Sequence, residues 1–230
     1  MSDVSVMGAC ESADYSGDRS AVPRASKGLS RREWRRKRWH VLPGCLAFVV
    51  RWIPHDRPVA LLFNIVATAI AVGWALWART RFQKIRRSGE TDAAANSVVF
   101  GYAAFVLLSL WVFPSNPELA MATLATLAWG DAAAAVVGMN LGVRSWPWNP
   151  RTTILGTLGF IGAALVTAVT AYHCESALPA SWWQSVQVVA PGVFAAAAVE
   201  SLPWKFDDNL PTALTAWIVL AVVHGGVVGF

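Results

Sequence analysis

The sequence is short of charge. Only 14% of its 230 residues are Asp, Glu, Lys or Arg, where a soluble domain carries about 25%. With 55% hydrophobic residues, a chain of this size cannot hide its apolar surface from water, because a good part of any small domain stays exposed. An ordinary soluble globule is therefore excluded. Cysteine is scarce: Cys10, Cys45 and Cys174 form no CxxC pair and no zinc-ligand spacing. No Gly-Lys-Ser or Gly-Lys-Thr occurs, nor a protein-kinase Gly-rich loop or His-Arg-Asp signature, so phosphate chemistry here must use a site other than a P-loop. Residues 1–30 lack an apolar stretch of signal-peptide type, and Asp3, Glu11, Asp14 and Asp18 argue against a transit peptide.

What the chain has instead is long hydrophobic runs, the mark of membrane-spanning helices. Six stand out: Pro58–Ala78, Ala93–Phe113, Pro117–Met139, Thr152–Tyr172, Trp182–Val199 and Leu210–Phe230. A seventh, Val41–Ile53, is short for a 30 Å hydrocarbon core and needs local thinning or the flanking Trp39 and Trp52 as anchors. Thirteen Trp residues fit a protein with two membrane interfaces. The expected fold is an all-α, multi-pass helical bundle of seven spans, or six without the short one. Lys and Arg gather in cytoplasmic loops. With seven spans and the N-terminus inside, 17 of 19 fall on one side, leaving only Arg51 and Arg57 opposite. Residues 1–38 read as a disordered basic cytoplasmic tail and residues 39–230 as the transmembrane domain. The run Arg31–His40 reads as an anchor beside anionic lipid; nothing else supports nucleic-acid binding.

Ionisable residues within or beside spans are costly, and so they point to function. Asp131 lies in Trp129-Gly130-Asp131 to Gly138, among small residues that let backbones approach. It suits either a metal or phosphate site or an interhelical polar contact. Glu200, Asp207 and Asp208 lie within nine residues at the junction of two spans. Adjacent carboxylates repel unless a cation sits between them, and Mg²⁺ takes one or two carboxylates plus substrate phosphates; Asp207 or Asp208 capping the last helix is the alternative. Asn149-Pro150-Arg151-Thr152-Thr153 opens a helix whose N-terminus suits phosphate, and Gly156, Gly159 and Gly162 give it a small packing face. All three clusters fall on the expected cytoplasmic side. His224 reads as a buried polar contact, and His173-Cys174-Glu175 as too small a set for a metal site.

These motifs resemble the membrane-integral, CTP-using polyprenol kinases, the phytol and dolichol kinases. Gly130-Asp131 to Gly138 resembles the family's GD-x-x-A-[DS]-x-x-G. Trp146–Thr157 is similar to the phytol-kinase P-Y-N-P-R-K-S-W-x-G-S, and Val199–Pro203 with Asp207-Asp208-Asn209 to V-E-S-L-P…D-D-N. Arg36-Lys37-Arg38-Trp39-His40 resembles the R-K-x-x-H before the first span. The chain departs from the pattern at Ala135, Thr152 and Met139, which removes one metal ligand and up to two phosphate contacts. The resemblance implies a kinase-like domain over 39–230 that phosphorylates an isoprenoid alcohol such as phytol or geranylgeraniol. CTP or another nucleotide would be the donor. It implies Mg²⁺ on Asp131, Asp207 and Asp208, and nucleotide held by Arg151, Thr153, Gly156, Thr157 and Asn209. Asp131, Arg151 and Glu200 would be catalytic, Glu200 as base or third metal ligand, with His40 an alternative base or an interface residue. CDP-lipid cytidylyl transfer and a non-catalytic lipid-binding role are the alternatives. The expected setting is a prokaryotic inner membrane with the site facing the cytoplasm.

Overall fold

The computed structural model describes residues 31–53, 58–85, 104–176, 180–204 and 208–230. The tail 1–30, the first part of the span expected at Ala93–Phe113, and Asp207 lie outside the described residues.

The described chain is built of helices: α1 (Arg31–Gly44), α2 (Leu46–Val49), a single 3₁₀ turn (Val50–Trp52), α3 (Leu61–Ile85), α4 (104–112), α5 (Pro117–Leu141), α6 (Ile154–Glu175), α7 (Trp182–Glu200) and α8 (Asn209–Val227). Among the described residues, paired β structure is limited to one bridge between Ser145 and Thr153. The expected all-α class holds. Helices α5 to α8 begin and end within three residues of the expected spans.

The boundaries have local causes. Pro117 opens α5, where its missing N–H has no intrahelical partner to lose. The Thr153 hydroxyl accepts from Gly156 N–H at 3.0 Å and caps α6. Ser181 caps α7 through Gln184 N–H at 3.1 Å. Helix α8 stops at Val227 because Gly229 takes a left-handed φ of 89° and returns its N–H to His224 O.

Among the described residues, four helices are long and apolar enough to cross a membrane: Leu61–Thr80 of α3, α5, α6 and α8. Gln184 and Gln187 keep α7 short of that measure. The expected short span Val41–Ile53 is a short apolar helical stretch, Val41–Trp52, with a turn at Cys45. Pro43 stands inside α1 and cannot donate a backbone bond, and the chain continues as α2 and a 3₁₀ turn.

Helix α5 is the centre. Ala120, Ala122, Ala125 and Ala128 are fully buried. Thr123 and Thr126 return their hydroxyls to Leu119 O and Ala122 O, each at 2.8 Å, so the core carries no stray donor there. Lipid tails are as apolar as Leu, so such helices associate through close packing rather than through the hydrophobic effect. Helix α6 supplies the close approach. A Cβ on Gly156 would lie 3.0 Å from Ala134 O, and one on Gly159 would lie 2.9 Å from Val137. Gly162, expected on the same face, meets nothing within 4 Å. Helix α3 stands at the edge. Leu61, Leu62 and Ile70 are exposed, as lipid-facing residues would be, and the buried amide of Asn64 donates to Leu110 O at 3.2 Å.

Neighbouring helices alternate in direction. One end of the bundle therefore collects the end of α5, the start of α6, the end of α7 and the start of α8. At the other end His224 is buried, bonded to Tyr172 Oη at 2.7 Å and to Asn116 Nδ2 at 3.0 Å, as expected of a polar contact.

Gly159→Leu will lower stability by about 1–3 kcal/mol through overpacking against Val137. Gly162→Leu will leave it unchanged; melting of both variants in detergent micelles checks the contrast.

Candidate functional site

The site is built around a charge inside a helix. Asp131 projects from α5 and receives Lys37 of α1: Nζ lies 2.7 Å from each carboxylate oxygen and 3.4 Å from the Asp131 carbonyl. The Lys37 side chain is only 13% exposed and that of Asp131 24%. Helix α1 runs against α5 in the opposite direction, with Gly44 seated on Ala128. This corrects the reading of the basic run as a lipid anchor alone. Trp34 and Arg38 are exposed, but Lys37 turns inward. The His40 side chain lies outside the described residues.

Glu200 closes α7 and approaches from the other side. Its Oε2 is buried and accepts no hydrogen bond among the described residues. Asp208 and Asp131 act on it as like charges and Lys37 as an opposite one, so α1, α5, α7 and the start of α8 meet here. Asp208 holds the N-cap position of α8, and its carboxylate makes no capping bond. The capping alternative raised by the sequence is therefore not realised at Asp208. Asn209, the first residue of α8, is buried. Asp207 is outside the described residues.

The third cluster is a tight loop between α5 and α6. It is closed by Trp146 N–H on Thr152 O at 3.2 Å and Ile154 N–H on Arg144 O at 3.0 Å. Asn149, 5% exposed, fastens it to the end of α7. Its Nδ2 donates to Ser201 O at 3.1 Å and Leu202 O at 3.0 Å, while its Oδ1 accepts from Arg151 N–H at 3.0 Å. Trp148 Nε1 adds a bond to Ser201 O at 3.2 Å. Asn149 is the residue that sequence reasoning left without a role. Its signal was there, as the first member of the Asn-Pro-Arg run.

The residues expected to bind nucleotide divide into two groups. Arg151 is exposed, on a loop tied to the carboxylate cluster through Ser201. Thr153, Gly156 and Thr157 are buried and engaged in packing. The Thr153 hydroxyl caps α6, Gly156 lies against α5, and Thr157 Oγ1 accepts from Trp146 Nε1 at 2.9 Å. These three build the start of α6, and their expected phosphate contacts would have to displace those bonds.

Among the described residues, no three His, Cys, Asp or Glu side chains are grouped closely enough to hold a metal ion. The donor chemistry still fits a hard cation. Asp131 already holds a cationic group on both oxygens, and Asp208 adds a second negative charge to the same region.

Comparison with known proteins follows the same lines. Probable phytol kinase 2 of Oryza sativa subsp. japonica is 24% identical over 86% of this chain and 69% of its own length. Phytol kinase 1 of Arabidopsis thaliana is 29% identical over 63% of this chain and 48% of its own length. Probable phytol kinase 1 of Glycine max is 25% identical over 86% of this chain and 71% of its own length. The chain is similar to these phytol kinases over much of its length. It spans between about half and seven-tenths of the length of these relatives. No family model and no solved structure matches it. All three relatives are chloroplastic plant proteins, which gives no support to the prokaryotic inner membrane expected from the sequence. What stands is a chain with helices able to cross a membrane.

Asn149→Ala will leave the Ser201 and Leu202 carbonyls without their side-chain partner, at a cost of about 1–3 kcal/mol. Hydrogen exchange will read this as faster exchange across residues 144–153 with α5 unaffected.

Proposed function

We propose that the protein is a membrane-embedded kinase that transfers a phosphoryl group from a nucleotide to the hydroxyl of an isoprenoid alcohol, phytol or a close analogue. The observation that carries this reading is the meeting of Asp131, Glu200 and Asp208 with the Asn149–Arg151 loop at one end of an apolar bundle, in a chain similar to phytol kinases. The resemblance of the motifs favours CTP as donor. The charge count favours the side of the membrane that carries the basic loops.

In such a reaction the alcohol oxygen bonds to the terminal phosphorus, the bond to the bridging oxygen breaks, and nucleoside diphosphate leaves. Catalysis is then largely positioning and charge stabilisation. Glu200 stands at the boundary between helix and loop with a buried carboxylate oxygen that makes no hydrogen bond among the described residues. It accepts the hydroxyl proton or orients that hydroxyl. Arg151, exposed on a loop held by Asn149, pairs its planar guanidinium with phosphate oxygens. Asp131 and Asp208, with Asp207 beside them in sequence, would hold Mg²⁺, which supplies neutralisation of phosphate charge. The prenyl chain lies along an apolar groove between helices, so the hydroxyl meets the polar end of the bundle.

The test is a membrane assay with phytol or geranylgeraniol and terminally labelled CTP, ATP and GTP, with an active relative as control. Label will appear on the lipid with release of nucleoside diphosphate. Asp131→Asn will reduce transfer at least a hundredfold at unchanged expression. Release of pyrophosphate instead would mean cytidylyl transfer, and absence of transfer with every nucleotide would point to a lipid-binding protein without activity.

A further inference from the structure

The carboxylates of the site have been given tasks, but the cation between them has not. Lys37 is unlike Trp34 and Arg38, the other described side chains of the basic run. Trp34 and Arg38 face outward, whereas the Lys37 side chain is 13% exposed and aimed at Asp131. A lysine that only anchored α1 to a lipid surface would keep its head in water or among headgroups. This one is drawn into a region where Asp131, Glu200 and Asp208 act together and Lys37 opposes them. Helix α1 reaches that position because Gly44 lets it sit directly on Ala128 of α5.

We infer that Lys37 is a phosphate-contacting residue of the site, held by Asp131 in reach of the nucleotide's phosphate oxygens. An ammonium has three N–H donors. Two make the 2.7 Å contacts to the Asp131 carboxylate, and the third makes only a long contact, 3.4 Å, to the Asp131 carbonyl. That third donor can turn to a phosphate oxygen without releasing α1. Lysine serves phosphate as a flexible point charge, where Arg151 presents a planar fork. Beyond its proposed part in holding Mg²⁺, Asp131 orients Lys37, and its negative charge sets how much of the ammonium's charge an incoming polyphosphate meets. The inference deepens the kinase reading and rests on it for the identity of the phosphate.

The test separates the two. Inorganic tripolyphosphate, without metal, is titrated by calorimetry into the purified full-length protein and three variants: Asp131→Asn, Lys37→Gln, and the two combined. Asp131→Asn removes the competing carboxylate and will bind tripolyphosphate several-fold more tightly than the wild type. Adding Lys37→Gln to it will weaken binding at least about tenfold, the loss expected of one charge-assisted hydrogen bond. The double variant leaves a neutral amide pair, so a folded comparison remains if Lys37→Gln alone does not fold. Equal affinities for Asp131→Asn and the double variant would overturn the inference, because an ion pair with a structural role alone predicts no difference between them. Absence of tripolyphosphate binding in both wild type and Asp131→Asn would overturn it as well. If the contrast appears but no nucleotide supports lipid phosphorylation, the kinase reading fails and Lys37 stands as part of a polyphosphate-binding site.

Discussion

The ion pair between Lys37 and Asp131 organises this molecule. A carboxylate inside an apolar helix is costly unless it meets a partner, and here the partner comes from α1, which also packs on α5 at Gly44 and Ala128. Two 2.7 Å contacts tie α1 to α5, and Glu200 and Asp208 act on the same charges. A pair of this kind is not a strong source of net stability, since desolvation offsets much of the attraction. Its effect is on specificity: it fixes which part of α1 faces the bundle and brings the basic segment to the acidic end.

The remainder of the architecture keeps that end narrow. Gly156 and Gly159 let α6 lie close on α5, so the loop that follows α5 turns back tightly over the helix ends. Asn149 then bonds that loop to the carbonyls of Ser201 and Leu202, just beyond Glu200. The Asn149–Arg151 loop and the acidic junction are thereby held together through backbone acceptors rather than by long, mobile side chains. The opposite end is closed by a different set, Tyr172, His224 and Asn116, so polar groups occur at both ends of a bundle whose middle is Ala, Gly, Val and Leu.

Much of this was legible in the sequence. The low charge and the apolar runs define the class, and α5 to α8 follow the expected spans because caps such as Thr153 and Ser181 are written locally. The gathering of Asp131, Glu200 and Asp208 follows from alternating helix direction, which Lys and Arg counts already imply. Other features are not local. That Lys37 turns inward while Arg38 stays exposed depends on the register of α1 against α5. That Thr157 is bonded at the start of α6 rather than standing free depends on Trp146 folding back over it. The Val41–Ile53 run is a third case: hydropathy sees a continuous stretch, whereas the chain turns at Cys45 between α1 and α2 and tightens to a 3₁₀ turn at Val50–Trp52.

A double-mutant cycle on thermal stability in lipid nanodiscs, with Lys37→Gln, Asp131→Asn and both together, tests the central claim that this pair joins the basic helix to the acidic end. The pair as described predicts that the double variant is less destabilised than the sum of the single ones, with a coupling of about 1 kcal/mol or more. Additive effects would contradict it and would return α1 to the lipid surface.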